Sequence, residues 1–138
     1  MKYGLVCPGY NSQFVGMAKE LYDECRIVQE YFEEAAACLN VNFVKLCFAS
    51  SDKDLSQLFN AYASLVLVST AVAKLIEEEC GIEYSICAGE SAGFYSALCV
   101  AGGITFPDAL YFMRKLSAFY GACLDNRLVD ALIVSNTP

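Results

Sequence analysis

The sequence contains no histidine, and this absence removes two kinds of site. A zinc site of mixed cysteine and histidine ligands is excluded. The usual general base for a serine nucleophile is also missing from the 138 residues. None of the eight cysteines belongs to a C-x-x-C pair, so no metal site is expected. Most cysteines lie in apolar runs, which predicts buried free thiols in a reducing cytosol.

Positive charge is scarce, with nine lysines and arginines against sixteen aspartates and glutamates. The net charge of −7 and the lack of a basic cluster predict no binding to nucleic acid, and argue against anionic membranes. No export signal is visible, because the apolar stretch after Lys2 ends at Pro8-Gly9. The longest apolar region, 61–76, is short of the ~20 residues that span a bilayer. We therefore expect a soluble cytoplasmic protein.

Apolar residues, in contrast, are abundant, at 57% of the chain with a mean hydropathy of +0.41. This is ample for a core and high for a small soluble domain, so we expect some apolar surface to receive another segment. The sequence has no internal repeat and no low-complexity linker.

Strand and helix patterns alternate along the chain, which predicts an α/β fold with a parallel sheet. Ser12 is expected to cap the first helix, and the pairs Ser51/Asp54 and Thr105/Asp108 form capping boxes. Gly81 is expected to end the long helix. The predicted strands are 2–7, 82–88 and 128–134, and the predicted helices are 14–22, 27–39, a short one from 51, 63–80, 92–101 and 105–123.

The segment Gly89-Glu90-Ser91-Ala92-Gly93 is a G-x-S-x-G pattern between a predicted strand and a predicted helix. A sharp strand-to-helix turn strains the serine backbone, and the two glycines let the chain pass closely. The hydroxyl then points into a cleft, while the Ala92 N–H lies at a helix N-terminus that favours a developing oxyanion. The alternative is a glycine-flanked turn whose serine only caps the helix.

Two longer stretches carry a family resemblance. Residues 88–110, A-G-E-S-A-G-F-Y-S-A-L-C-V-A-G-G-I-T-F-P-D-A-L, resemble the nucleophile region of malonyl-CoA:acyl-carrier-protein transacylases, including the acyltransferase domains of polyketide and fatty-acid synthases. Residues 8–17, P-G-Y-N-S-Q-F-V-G-M, resemble the family's P-G-Q-G-S-Q-x-x-G-M. The resemblance covers nearly all of this chain and about the first half of a family member.

This resemblance implies an α/β-hydrolase-like large subdomain over 1–127, and the start of a ferredoxin-like small subdomain over 128–138. It implies that Ser91 takes an acyl group from acyl-coenzyme A, which is a substrate and not a bound cofactor. The acyl group, malonyl or another short one, then passes to the phosphopantetheine thiol of an acyl carrier protein in fatty-acid or polyketide synthesis. The backbone N–H groups of Ala92 and Tyr10 would form the oxyanion hole.

Several positions depart from the family pattern. Glu90 stands in place of a histidine, Phe94 of an acidic residue and Ala61 of a glutamine in the pocket wall. Leu116 stands where the family has the arginine that pairs with the malonyl carboxylate. Arg114 is two residues away, about 200° round a helix, and is expected to face elsewhere. Malonyl specificity is therefore expected to be weakened, in favour of an uncharged acyl group or in a degenerate family member.

The family's histidine base lies further downstream, so we expect the base to come from a second segment or subunit and the chain alone to turn over little. A carboxylate such as Glu90 is a poor base for serine unless it is buried. The sequence leaves open whether the chain is an enzyme by itself. One alternative is a non-catalytic acyltransferase-fold module that binds a carrier protein or synthase partner. Another is a serine hydrolase, which the motif at 12–17 argues against.

Overall fold

A computed structural model of the chain describes residues 1–126, and these residues form an α/β fold. The strands are β1 (Tyr3–Cys7) and β2 (Tyr84–Gly89). The helices are α1 (Lys19–Glu24), α2 (Arg26–Leu39), α3 (Phe43–Ala49), α4 (Asp52–Leu55), α5 (Leu58–Cys80), α6 (Ala92–Val100) and α7 (Phe106–Asp125). The predicted strand 128–134 and the predicted small subdomain at 128–138 lie outside the described residues.

The two strands pair in parallel, as the alternating pattern predicts. Val6 lies opposite Ala88, and Cys7 lies opposite Gly89. Helices α1 to α5 form the crossover that a parallel pair requires. Helix α6 packs against both strands on one face of the sheet. On the other face Val6 is 79% exposed and Ile86 is 68% exposed, so the described residues cover only one side of the sheet.

Helix α5 forms the centre of the core and packs against α2, α6 and α7. Residues 61–67 of this helix are all buried, which explains a run of apolar side chains without polar periodicity. The helix begins at Leu58, five residues before the predicted start, and has 23 residues. We expected the apolar region 61–76 to be too short to cross a membrane, and this is wrong because the helix that contains it has 23 residues. Most of its apolar window is buried inside the protein, which accounts for its composition.

Several predicted helix ends are confirmed by hydrogen bonds. The Ser51 hydroxyl accepts from the Asp54 N–H at 3.1 Å, and the Thr105 hydroxyl accepts from the Asp108 N–H at 3.2 Å. Each hydroxyl thus satisfies a backbone donor that the first turn of a helix leaves free. Gly81 ends α5 in the left-handed region at φ 61°, where glycine carries no side-chain clash.

The helix predicted from residue 14 and capped by Ser12 is wrong at its start. Residues 8–18 form turns, and α1 begins only at Lys19. Gly16 and Ala18 have φ values of 95° and 62°, which a right-handed helix cannot contain. The Gly16 N–H donates to the Cys47 carbonyl at 2.8 Å, so a tertiary contact replaces the helical hydrogen bond.

Helix α3 was not predicted from the sequence. The preceding helix ends at residue 39 as predicted, with Asn40 in the left-handed region at φ 52°. The side chain of Asn42 then accepts from the Lys45 N–H at 2.9 Å and caps a new seven-residue helix. Such a short helix is set by its cap and by the burial of Phe43 and Cys47, more than by apolar periodicity.

All eight cysteines are free thiols, as predicted, but they are not uniformly buried. Cys7, Cys47 and Cys99 are buried. Cys38 and Cys80 are exposed near the C-terminal ends of α2 and α5, so the prediction of burial is wrong for these two.

Candidate active site

Ser91 lies between the end of β2 and the first residue of α6 in an uncommon backbone conformation. Its φ and ψ are 53° and −123°, a region that residues with a side chain rarely adopt. The residue is exposed, and its side chain makes no capping hydrogen bond to α6. Ser91 therefore does not serve as a helix cap, and its hydroxyl is available for another partner.

The two glycines of the turn are required by close backbone contacts. A Cβ atom at Gly89 would lie 2.0 Å from the Gly93 carbonyl oxygen, and one at Gly93 would lie 2.2 Å from the Cys7 oxygen. Neither distance is compatible with a side chain. Gly89 and Gly93 thus pack closely against each other, and Gly93 packs against the end of β1. These contacts fix where the Ser91 hydroxyl projects.

The turn after β1 lies directly beside Ser91. A Cβ atom at Gly9 would lie 3.1 Å from the Ser91 Cβ and 2.6 Å from the Glu90 carbonyl oxygen. The next residue, Tyr10, is held by its hydroxyl, which donates to the Ser56 carbonyl at 2.9 Å. The two predicted motifs, far apart in sequence, are therefore neighbours at the carboxyl ends of parallel strands, where α/β proteins commonly bind ligands.

Some backbone N–H groups around Ser91 have no hydrogen-bond acceptor within residues 1–126. Gly93 N–H donates to the Glu90 carbonyl at 2.8 Å, and Phe94 N–H donates to the Ser91 carbonyl at 3.1 Å. Within residues 1–126, the N–H groups of Ala92 and Tyr10 donate to nothing. The Ala92 N–H is at the positive end of α6, so an oxyanion beside it would be stabilised.

Ser91 lines a cavity of about 250 Å³ whose other walls come from α5, α6 and α7. The remaining lining residues are Tyr62, Ala92, Phe94, Tyr95, Leu116 and Tyr120. Burial raises the pKa of Tyr95, and the nearby Tyr120 and Tyr62 raise it further. The Tyr95 hydroxyl is therefore neutral near pH 7, and the wall is aromatic and uncharged.

The structure brings some of the predicted pocket residues together and separates others. Leu116 lines the same cavity as Ser91. The Arg114 guanidinium donates to the Leu39 carbonyl and lies 5.5 Å from the Phe59 ring centroid, so it is turned away. Ala61 is fully buried within α5 and does not line the cavity.

Three lining tyrosines were missed in the sequence, although spacing could have indicated two of them. Tyr95 follows Ser91 by four residues on α6, and Tyr120 follows Leu116 by four on α7. Residues four apart share a helix face, so each tyrosine lies beside a residue that the resemblance had already marked. Tyr62 follows Ala61, and no comparable signal marked it.

Cys7 is a second potential nucleophile near the turn, since its carbonyl lies close to Gly93. Burial raises the pKa of the Cys7 thiol to about 11, and the neighbouring Cys87 raises it further. The thiol is thus protonated near neutral pH and is a weak nucleophile. Glu90 is exposed, so it lacks the burial that would make it a base. Residues 1–126 contain no cluster of three or more metal-ligating side chains.

The chain has relatives among known proteins. No protein-family model matches the chain. The malonyl CoA-acyl carrier protein transacylase of Bacillus subtilis strain 168 is 38% identical over 118 residues, which are 86% of this chain and 37% of that protein. This chain is homologous to part of the malonyl CoA-acyl carrier protein transacylases.

Solved transacylase structures share the fold of this region. The transacylase from Coxiella burnetii superposes with a TM-score of 0.83 at 28% identity, over 86% of this chain and 38% of that one. A malonyl-transacylase in complex with its type II PKS acyl-carrier protein gives a TM-score of 0.81 at 29% identity, with the same coverage of each chain. The chain therefore spans less than half the length of the transacylases that it matches, and its α/β fold with a parallel sheet is confirmed.

Proposed function

We propose that this chain carries the nucleophile of an acyltransferase that moves an acyl group from coenzyme A to an acyl carrier protein. The supporting observation is the Ser91 turn, where a strained and exposed serine lies beside a cavity and the Ala92 and Tyr10 N–H groups have no acceptor within residues 1–126. A relative in a solved complex is a malonyl-transacylase bound to its acyl-carrier protein, which supports a carrier protein as the acceptor here.

In the first half-reaction the Ser91 Oγ attacks the thioester carbonyl carbon, and a base takes the hydroxyl proton. The Ala92 and Tyr10 N–H groups would donate to the oxyanion of the tetrahedral intermediate. The C–S bond then breaks, and coenzyme A leaves as its thiol with the proton returned. In the second half-reaction the phosphopantetheine thiol attacks the Ser91 ester, and the serine hydroxyl is restored.

The base is proposed to come from a second segment or subunit, since the 138 residues contain no histidine. We also propose a cytoplasmic location, where coenzyme A thioesters and carrier proteins would be its partners. Residues 128–138 are proposed to begin a second, smaller subdomain. No nucleic acid or membrane partner is part of this proposal.

Chemical rescue tests the transfer directly on the 138-residue chain. Imidazole can replace a missing base because Ser91 is exposed and its cavity is open to solvent. Acyl-coenzyme A and imidazole are added, the acylated chain is separated, and a carrier protein bearing phosphopantetheine is then mixed with it. We expect the carrier to gain the acyl mass and the chain to lose it, with Ser91→Ala giving no transfer. Release of the acyl group only to water indicates a hydrolase instead.

A second candidate is a non-catalytic module that binds a carrier protein or a synthase partner. The observation that favours it is a Ser91 hydroxyl without a hydrogen-bond partner in residues 1–126. Under this reading the carrier protein binds equally to the unaltered chain and to Ser91→Ala, and no acyl adduct forms even with imidazole. Calorimetric titration of both chains with the carrier separates the two functions.

A further inference from the structure

The cavity beside Ser91 has a largely aromatic and uncharged wall. Phe94 and Tyr95 follow the serine on α6, and Tyr62 enters from α5. The Tyr62 and Tyr120 rings meet edge to face, with centroids 6.5 Å apart. Edge-to-face pairs are favourable arrangements that hold aromatic side chains in place. The wall is thus built from packed rings, with Leu116 completing it on α7.

The size of the cavity suits a small group. Its volume of about 250 Å³ is below the roughly 300–1,000 Å³ of pockets that hold drug-sized ligands. An acyl group of a few carbons can fit against this wall while its thioester carbonyl remains at Ser91.

No positively charged side chain within residues 1–126 lines this cavity. Arg114 is on the same helix as Leu116, but its guanidinium is engaged by the Leu39 carbonyl and the Phe59 ring. Lys115 lies over the Tyr111 ring at 5.3 Å from its centroid. A carboxylate in the cavity would therefore lie against uncharged side chains without an ionic partner, which is less favourable than placing a neutral group there.

Negative charge on the chain adds to this effect. Glu90 directly precedes Ser91 and is exposed, and the whole chain carries a charge of −7. Both repel an anionic acyl group, whereas a neutral acyl group is unaffected.

We propose that the Ser91 cavity accepts an uncharged, short aliphatic acyl group and disfavours a carboxylated one, with Leu116 as the residue that sets this specificity. The inference rests on the proposed function, because it assigns the acyl group that Ser91 would carry. It concerns binding in the cavity, so it can be tested without turnover.

The test compares two thioesters of N-acetylcysteamine, isovaleryl and malonyl, which have the same branched shape and differ in charge. Binding to the 138-residue chain is measured by NMR from the amide signals of Ser91, Ala92 and Tyr95. We expect saturable shifts with the isovaleryl thioester, and at least about tenfold weaker binding of the malonyl thioester. Equal or tighter binding of the malonyl thioester overturns the proposal, and so does an absence of binding by the isovaleryl thioester.

Introducing a positive charge at residue 116 tests whether Leu116 sets the preference for an uncharged acyl group. Leu116→Arg places a guanidinium at the cavity wall, and Ala118→Arg adds the same charge at an exposed position of the same helix. We expect Leu116→Arg alone to gain malonyl binding by about tenfold or more and to lose isovaleryl binding. A similar gain of malonyl binding in Ala118→Arg would show that net charge matters instead of the cavity wall. Leu116 would then not be the specificity-determining residue.

The outcomes for the two proposals can be told apart. If Ser91 is acylated in the presence of imidazole but the cavity prefers the malonyl thioester, the acyltransferase proposal stands. The specificity inference is then overturned. A clear isovaleryl preference without any Ser91 acylation leaves the specificity of the cavity in place and removes the acyltransferase proposal.

Discussion

Ser91 combines backbone strain with a hydroxyl that has no hydrogen-bond partner in the described part of the chain. Its φ of 53° and ψ of −123° fall in a region that costs a residue with a side chain about 1–3 kcal/mol. Its hydroxyl offsets none of this cost, since it makes no capping bond. Strain of this kind is kept where the surrounding structure over-determines it, and here Gly89 and Gly93 supply that constraint through contacts too close for side chains.

The strain at Ser91 has a measurable effect on stability. We expect Ser91→Gly to be more stable than Ser91→Ala by roughly 1 kcal/mol, because glycine adopts a positive φ without a Cβ clash. Both variants lack the hydroxyl, so the difference isolates the backbone. Urea denaturation of the two chains measures it, and equal midpoints would show that the turn is unstrained.

Gly93 carries the tightest contact between the turn and β1. We expect Gly93→Ala to lower the free energy of unfolding by roughly 2 kcal/mol or more, because the new Cβ would meet the Cys7 carbonyl oxygen, which belongs to the backbone. The matched control is Gly121→Ala on α7, where a Cβ meets nothing within 4 Å. That control is expected to be neutral or stabilising by about 0.5–1 kcal/mol. If both variants behave alike in thermal unfolding, the close approach is not real.

At the residue scale, local sequence was sufficient to predict the Ser91 turn, because two glycines around a serine between a strand and a helix have few other uses. It was not sufficient for the cavity wall. The family resemblance predicted Ala61 in the pocket wall, but the neighbouring Tyr62 lines the cavity instead. Which of two adjacent helix residues faces a site depends on how α5 rotates in the core, and that is a tertiary property.

At the scale of elements, helix ends were predictable where a side chain settles them locally. The Ser51 and Thr105 boxes and the Gly81 stop are such cases. Sequence failed where long-range contacts decide. The first helix starts late because Gly16 donates to Cys47, and α3 forms because burial of Phe43 adds to its Asn42 cap. Neither contact is visible in local propensity.

The Thr105 side chain caps the N-terminus of α7, the helix that contributes Leu116 and Tyr120 to the cavity lining. We expect Thr105→Ala to destabilise the protein by about 1 kcal/mol, because the Asp108 N–H loses its acceptor. Thr105→Ser keeps the hydroxyl and is the control. Chemical denaturation monitored by circular dichroism measures both variants. A loss in Thr105→Ser as large as that in Thr105→Ala would point to the methyl group and not to the cap.

At the scale of the whole molecule, the sheet has an apolar face that residues 1–126 leave open. Val6 and Ile86 project from it, and the paired positions Gly4 and Ala88 are also exposed. The unusually high hydrophobic content predicted such a surface. The transacylases that match this chain are more than twice as long as the matched region. Exposed apolar sheet surface of this kind promotes association.

The open face is expected to make the isolated chain associate as its concentration rises. Ile86→Lys should reduce that association while changing the free energy of unfolding by less than about 0.5 kcal/mol, since the side chain is already 68% exposed. Phe119→Lys, at a residue of α7 that is 61% exposed, controls for added charge. Light scattering after size exclusion measures the mass. Equal effects of the two variants would assign the association to charge and not to the sheet.

The most direct measurement is the site of acylation on the chain. The 138-residue protein is incubated with a short acyl-coenzyme A, with and without imidazole, and the modified residue is mapped by peptide mass spectrometry. We expect one adduct on the peptide that contains Ser91. It should form slowly without imidazole and faster with it, and should be absent from Ser91→Ala. An adduct that persists in Ser91→Ala, or imidazole-dependent acylation only at other residues, would contradict the assignment of Ser91 as the nucleophile.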